Sequence, residues 1–168
     1  MDIQRTAPYW KDRLQLQSHI EGGAFREIYR SELLLPKELL KAGHKGDRAA
    51  STSIYFLLEH GQFSALHRIA SDELWHHYDG ACLYIYEIKQ DGQLVKHLLG
   101  KDFDKGERPQ VIIPAGSWFG SRVEQENSYT LCGCTVAPGF DFEDFDLANR
   151  ENLLAAFPAH AEIITGLT

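Results

Sequence analysis

The chain is short of the features that would place it outside water or let it dispense with a core. Its 168 residues include three cysteines and one methionine. Three thiols cannot all pair and nothing points to export, which excludes a disulfide scaffold and leads us to expect free thiols in a reducing cytoplasm. No run approaches the roughly 18 apolar residues of a spanning helix. The polar start Met1-Asp2-Ile3-Gln4-Arg5 precedes no apolar core of a secretory signal. Positive charge is scarce: 17 Lys and Arg stand against 24 Asp and Glu, for a formal charge of −7. Phosphate binding needs a basic stripe, so nucleic acid is not expected as a partner, and neither is an anionic membrane. Internal repeats, low-complexity tracts and Pro-, Gly- or Ser-rich linkers are missing as well, so residues 1–168 are read as one domain.

What remains is an ordinary globular composition, 43% hydrophobic and 24% charged. A chain of this length buries roughly 70% of its unfolded surface, so neither a disulfide nor a metal is needed merely to fold. Residues 6–15 read as an opening helix with Thr6 as N-cap and Pro8 in its first turn. Glu21-Gly22-Gly23 turns the chain into a strand over Phe25–Ser31. Residues 33–42 have a helical pattern, and Gly43 to Asp47 read as an exposed loop.

From Ser51 the hydrophobic period is two. Runs rich in aromatic and β-branched residues cover 53–58, 65–69, 74–78, 82–89, 94–99, 110–113, 117–122 and 129–137. They are separated by turn sequences such as His60-Gly61, Asp79-Gly80 and Pro114-Ala115-Gly116. Many short strands between turns predict a mainly β jelly-roll barrel. After Pro138 the pattern turns helical over 147–157 and 159–164, broken at Pro158.

One stretch carries a specific signal. It runs Gly61, five residues, His67, Arg68, Ile69, three residues, Glu73, six residues, Gly80. This resembles the first motif of the cupin superfamily, in which His-x-His and a Glu lie between two glycines, with Ile69 in place of the second histidine. Pro114 and Gly116 match the centre of the second cupin motif, while Arg108, Phe119 and Val123 replace its glycine, histidine and asparagine. Of the four metal ligands that the resemblance implies, His67 and Glu73 remain. The blocks Glu21 to Ser31, Ser71-Asp72-Glu73-Leu74-Trp75-His76-His77 and Gly133 to Phe140 are similar to a small, largely uncharacterised single-domain cupin family. The resemblance implies a cupin-type double-stranded β-helix with short terminal helices, and a homodimer, as many cupins are. It speaks for the fold more than for the chemistry, because one fold hosts many functions.

Strand parity then decides which side chains meet. Alternation puts Glu73, Trp75 and His77 on one face and Leu74, His76 and Tyr78 on the other; the resemblance implies that Glu73 points inward. Without a bulge, His77 joins His67 and Glu73, a three-ligand arrangement that suits one divalent ion such as Zn, Mn, Ni or Fe. A bulge would bring His76 in instead. With two of the four ligands replaced by apolar residues, a metal cofactor is not the favoured expectation.

The same residues also make an acid/base pocket for a small polar organic ligand. Some cupins that this arrangement resembles are metal-free epimerases of keto-sugar nucleotides, which use a histidine paired with an acidic residue and a tyrosine as proton donor. That resemblance implies His67 as base, Glu73 or Asp72 as its partner, and Tyr55, Tyr84, Tyr86 or Tyr129 as donor; no spacing singles out one tyrosine. A metal-independent isomerase or epimerase acting on a carbohydrate-like substrate is the leading expectation. A non-catalytic binding protein and a divalent-metal enzyme are the alternatives.

Other residues carry weaker signals. Arg26 and Arg30 alternate onto one side of their strand with Ile28 and either clamp a carboxylate or phosphate or protect an edge strand. Trp118 and Phe119 line the pocket or belong to the core. Cys132 and Cys134 share a strand face and read as buried hydrophobes. The run from Phe140 to Asp146 is expected to lay phenylalanines on the barrel and carboxylates in water, and His19, His44, His60, His97 and His160 are expected at the surface.

Overall fold

The computed structural model describes residues 5–168; Met1 to Gln4, most of the polar start, lie outside the described residues. A short helix α1 (Ala7–Leu14) opens the chain, with the Thr6 side chain accepting from the Tyr9 amide as expected of a cap. Two sheets follow. The larger contains β1 (Gln17–Ser18), β2 (Ala24–Arg30), β5 (Thr52–Glu59), β7 (Asp72–Gly80), β10 (Gln110–Ile113) and β12 (Tyr129–Ala137), ordered β1-β2-β5-β12-β7-β10. The smaller contains β6 (Phe63–Arg68), β8 (Leu83–Ile88), β9 (Leu94–Leu99), β11 (Trp118–Val123) and β13 (Asp146–Leu147), ordered β13-β6-β11-β8-β9. A separate two-stranded ribbon pairs β3 (Leu34–Leu35) with β4 (Arg48–Ala49). Two helices, α2 (Arg150–Ala156) and α3 (Ala161–Gly166), close the chain.

The sheets face each other as a jelly roll, with strands crossing between them rather than a continuous ring of hydrogen bonds. Inward residues of both form the main core: Phe56, Leu58, Trp75, Ile85, Val111, Ile113, Phe119 and Val123 among others. Trp75 meets Phe56 at 5.8 Å and Phe119 at 6.4 Å between ring centroids, edge to face in both cases. Such pairs add about 0.5–1.5 kcal/mol beyond burial, and here the Trp75–Phe119 pair joins the two sheets. Outside the smaller sheet, Leu66, Tyr86 and Ile88 pack under Leu153, Ile164 and Leu167 of the C-terminal helical segment. Outside the larger one, α1 sets Ala7, Trp10 and Leu14 on Leu57 and Leu131. The terminal helices are therefore lids on the outer sheet faces and leave the space between the sheets open at the end where β5 begins and β12 finishes.

The eight strands expected after Ser51 form close to the predicted positions. The helix expected over 33–42 does not. Pro36 follows the short strand β3, and only a single 3-10 turn, Lys37–Leu39, remains, because proline lacks the amide that a helix interior needs. The run after Pro138 is only partly as expected. Phe140 and Phe145 pack on the core, but the Asp144 side chain is buried and accepts two bonds from Arg48, at 2.6 and 2.7 Å.

Candidate functional site

Three local irregularities place the side chains of the one cavity that contains His67. The first is a bulge in β6: Phe119 pairs with His67 and Ser121 with Ser64, leaving two residues of β6 opposite one of β11. The extra residue turns the Ala65 amide to the Glu21 carbonyl, at 2.8 Å, and the Ala65 carbonyl to His67 Nδ1, at 2.7 Å. The second is the Gly22-Gly23 turn, with φ of +111° and +71°. A Cβ on Gly22 would lie 2.1 Å from the Phe63 carbonyl oxygen, so only glycine lets this loop lie against β6 and carry Glu21 into the barrel. The third is a bulge at Ile28 of β2, where Glu27 pairs with Ile54 and Tyr29 with Ser53. It separates the two arginines expected on one side: Glu27 and Arg30 reach the cavity, while Arg26 lies outside and donates to Leu14 O and Gln15 Oε1.

The cavity, about 180 Å³, is lined by Glu21, His67, Glu73 and Cys134 within and by Glu27, Arg30, Asp141 and phenylalanines toward the mouth. A carbonyl only accepts, so the bond to Ala65 fixes the proton of His67 on Nδ1. Glu21 Oε2 lies 3.2 Å from the same nitrogen, and Glu21 Oε1 accepts from the Ser64 hydroxyl at 3.0 Å. The imidazole is held between the rings of Phe119 and Phe145, 4.2 and 5.2 Å away. Nε2 is left with no hydrogen bond among the described residues. It is an acceptor on a ring that lines the cavity and packs against two phenylalanines.

Glu73 is 7% exposed. Loss of hydration, reinforced by the nearby charge of Glu21, pushes its carboxyl up to about 8, so it carries a proton at neutral pH. Burial likewise raises the thiol of its neighbour Cys134. His19 is not at the surface: it lines the cavity, packs edge to face on Phe25 at 4.4 Å, and burial lowers its pKa. His44 is also buried, with Nε2 3.0 Å from Ser71 Oγ.

The remaining candidates lie elsewhere. His77 does point inward, as parity predicts, because the bulge in β7 falls beyond it, between the pairs Cys132–His77 and Leu131–Asp79. Trp75 intervenes along the strand, however, and His77 bonds to Ala81 O at 3.1 Å instead of joining His67 and Glu73. His76 sits on the opposite face, paired with Gly133 and Gln110. Asp72 is exposed and accepts from the Ala115 amide at 2.8 Å, so it supports the Pro-Ala-Gly turn and is not a partner of His67. Trp118 and Phe119 cannot both face inward, being consecutive on a strand; Phe119 does, and Trp118 faces out beneath Arg68. No tyrosine lines the cavity: Tyr84 and Tyr86 pack with the outer cluster, Tyr129 bonds to Asp79, and Tyr55 meets Tyr78.

The donor set does not suit a metal ion. Phe119 fills the space beside His67, Ile69 is core, and no group of three or more His, Cys, Asp or Glu among the described residues is placed to hold one. Sequence reasoning found His67 and Glu73 but missed Glu21 and His19, and it put Arg26 and Arg30 on one side of the strand, where only Arg30 reaches the cavity. The signal for Glu21 was present in the glycine pair that follows it.

Comparison with known proteins agrees with this fold. The chain is 31% identical over 149 residues to the uncharacterized protein YML079W of Saccharomyces cerevisiae, covering 83% of this chain and 74% of that one. A hypothetical protein from Leishmania major superposes with a TM-score of 0.90 at 33% identity, over 98% of this chain and 99% of the other. Protein SO0799 from Shewanella oneidensis does so with a TM-score of 0.88 at 39% identity, over 98% of each. Residues 9–148 match the family model described as Cupin superfamily (DUF985), and the chain belongs to that family.

Proposed function

We propose that the cavity performs metal-independent proton transfer on a small, polar, carbohydrate-like molecule, with His67 as general base and Glu73 as general acid. The observation that carries this reading is the pairing, in one cavity, of a histidine whose proton is fixed on Nδ1 with a carboxyl that stays protonated to about pH 8. Nε2 has a free lone pair and can take a proton from a carbon next to a carbonyl. Glu21, on the other side of the ring, stabilises the imidazolium that results. Glu73 holds the proton that an enolate oxygen needs, which is the part that the resemblance had given to a tyrosine. A cavity of about 180 Å³ is smaller than the roughly 300–1,000 Å³ of sites for drug-sized ligands, which favours a single ring over an entire sugar nucleotide.

The test is solvent exchange in deuterated water across a panel of aldoses and ketoses, followed by proton NMR. Deuterium should enter at the carbon beside the carbonyl, and His67→Asn should slow this by about 10²–10⁴-fold. Binding without exchange would leave a non-catalytic binding protein, and exchange untouched by His67→Asn would take the role of base away from His67.

A further inference from the structure

We propose that this cavity selects a small organic cation, a hydroxylated molecule bearing an ammonium group and no anionic group; the inference rests on the acid/base reading of the same cavity and names its class of substrate. The lining sets three carboxylates, Glu21, Glu27 and Asp141, against one guanidinium, that of Arg30. An imidazolium at His67 would still leave negative charge in excess, and an ionised Glu73 would add to it.

The single cation is not available to an anionic ligand. Arg30 Nε and Nη2 donate to the two carboxylate oxygens of Glu27, at 3.1 and 2.7 Å, and Nη1 donates to the Phe140 carbonyl at 3.2 Å. A ligand carboxylate or phosphate would have to displace a bidentate partner already in place.

Acceptors, by contrast, are in surplus. Glu73, more than nine-tenths buried, has the Cys134 thiol as its hydrogen-bond partner and keeps an accepting carbonyl oxygen while it holds its proton, and His67 Nε2 is unpartnered among the described residues. Asp141 commits one oxygen to the Glu143 amide, and its other oxygen has no hydrogen-bond partner among the described residues. An ammonium brings three donors and no acceptor, the complement of this set.

The apolar part of the lining agrees. Phe25, Phe140 and Phe142 surround the opening, with Phe140 and Phe142 edge to face at 5.0 Å, and aromatic faces attract organic cations within about 6 Å. An inorganic ion does not fit the same features, since no three of the ligating side chains among the described residues converge. The overall charge of −7 draws cations toward the molecule and repels anions.

The experiment compares three probes with one ring skeleton, glucosamine, glucose and glucuronate, by calorimetric titration of the full chain at neutral pH and low salt. Glucosamine should bind about tenfold tighter than glucose, with glucuronate weakest. Asp141→Asn, which keeps the capping oxygen, should shrink the preference for glucosamine. Glu27→Gln, which releases the Arg30 guanidinium, should raise glucuronate binding. Glucuronate binding as well as or better than glucosamine would overturn the inference, as would three indistinguishable titrations, silent ones included. Binding is read without turnover, so the charge order can also be measured in His67→Asn, where loss of exchange reports on the proton-transfer reading alone.

Discussion

Glu21 Oε2 lies 3.2 Å from His67 Nδ1, on the side of the ring where the Ala65 carbonyl accepts the Nδ1 proton at 2.7 Å. Two acceptors on one nitrogen leave the other bare, and the phenylalanines on either side keep the ring from exchanging them. Glu21→Gln preserves the shape and the Ala65 bond but removes the charge that favours an imidazolium. Turnover is expected to fall about tenfold, less than for His67→Asn, with circular dichroism unchanged. Equal activity in Glu21→Gln and wild type would separate Glu21 from the chemistry.

Glu73 makes stability depend on pH in a defined sense. Folded, it holds its proton to about pH 8; unfolded, it releases it near the ordinary carboxylate value of 4.5. Between these values the native state binds more protons than the unfolded one, so this group's contribution declines as pH rises from about 4.5 to about 8 and is level above. The slope is at most about 1.4 kcal/mol per pH unit. Urea unfolding of wild type and Glu73→Gln at pH 5 and pH 8 isolates it, because the other carboxylates cancel in the difference. The wild type should lose more stability than the variant between the two. Exchange activity should also fall above about pH 8, as the acid form of Glu73 is lost.

Arg48 pins the segment that carries Phe140, Asp141 and Phe142 to the mouth. Its side chain is 4% exposed and that of Asp144 5%; the pair meets at 2.6 Å, with Glu143 adding a third contact at 3.2 Å. Arg48→Ala leaves a buried carboxylate without its partner, and a loss of about 3–5 kcal/mol is expected in denaturant unfolding. Arg48→Ala with Asp144→Ala should recover part of that loss. A single variant as stable as wild type would show that the pair is not what holds the segment.

Gly22→Ala tests how Glu21 is delivered. The left-handed φ of +111° and the 2.1 Å approach to the Phe63 carbonyl leave no room for a methyl group. Strain of this kind costs at least about 1–3 kcal/mol, and relief by moving the loop withdraws Glu21. Reduced stability together with the exchange defect of Glu21→Gln is expected. A stable, fully active Gly22→Ala would contradict the role given to this turn.

The strands were legible because alternation and turn residues are local. Three of the eight runs after Ser51, 94–99, 110–113 and 129–137, form with the predicted ends. His67 and Glu73 were legible through motif spacing. What was not legible depends on register. The Ile28 bulge puts Arg26 and Arg30 on opposite faces, and nothing in Phe25-Arg26-Glu27-Ile28-Tyr29-Arg30 announces an extra residue. Glu21 lies on a loop distant in sequence from His67, so periodicity says nothing of their contact; only the demand of Gly22-Gly23 for a special backbone hinted at it. His77 shows the converse limit: its parity was right, but parity does not give depth along the barrel, and Trp75 stands between it and Glu73.

The account stands on the state of His67, and nitrogen NMR of the histidine ring reads that state directly. Long-range proton–nitrogen correlation at neutral pH should show the His67 proton on Nδ1 and a bare Nε2, with the assignment made by its loss in His67→Asn. A proton on Nε2 would contradict the account, because that nitrogen could then take no proton from a substrate in the cavity.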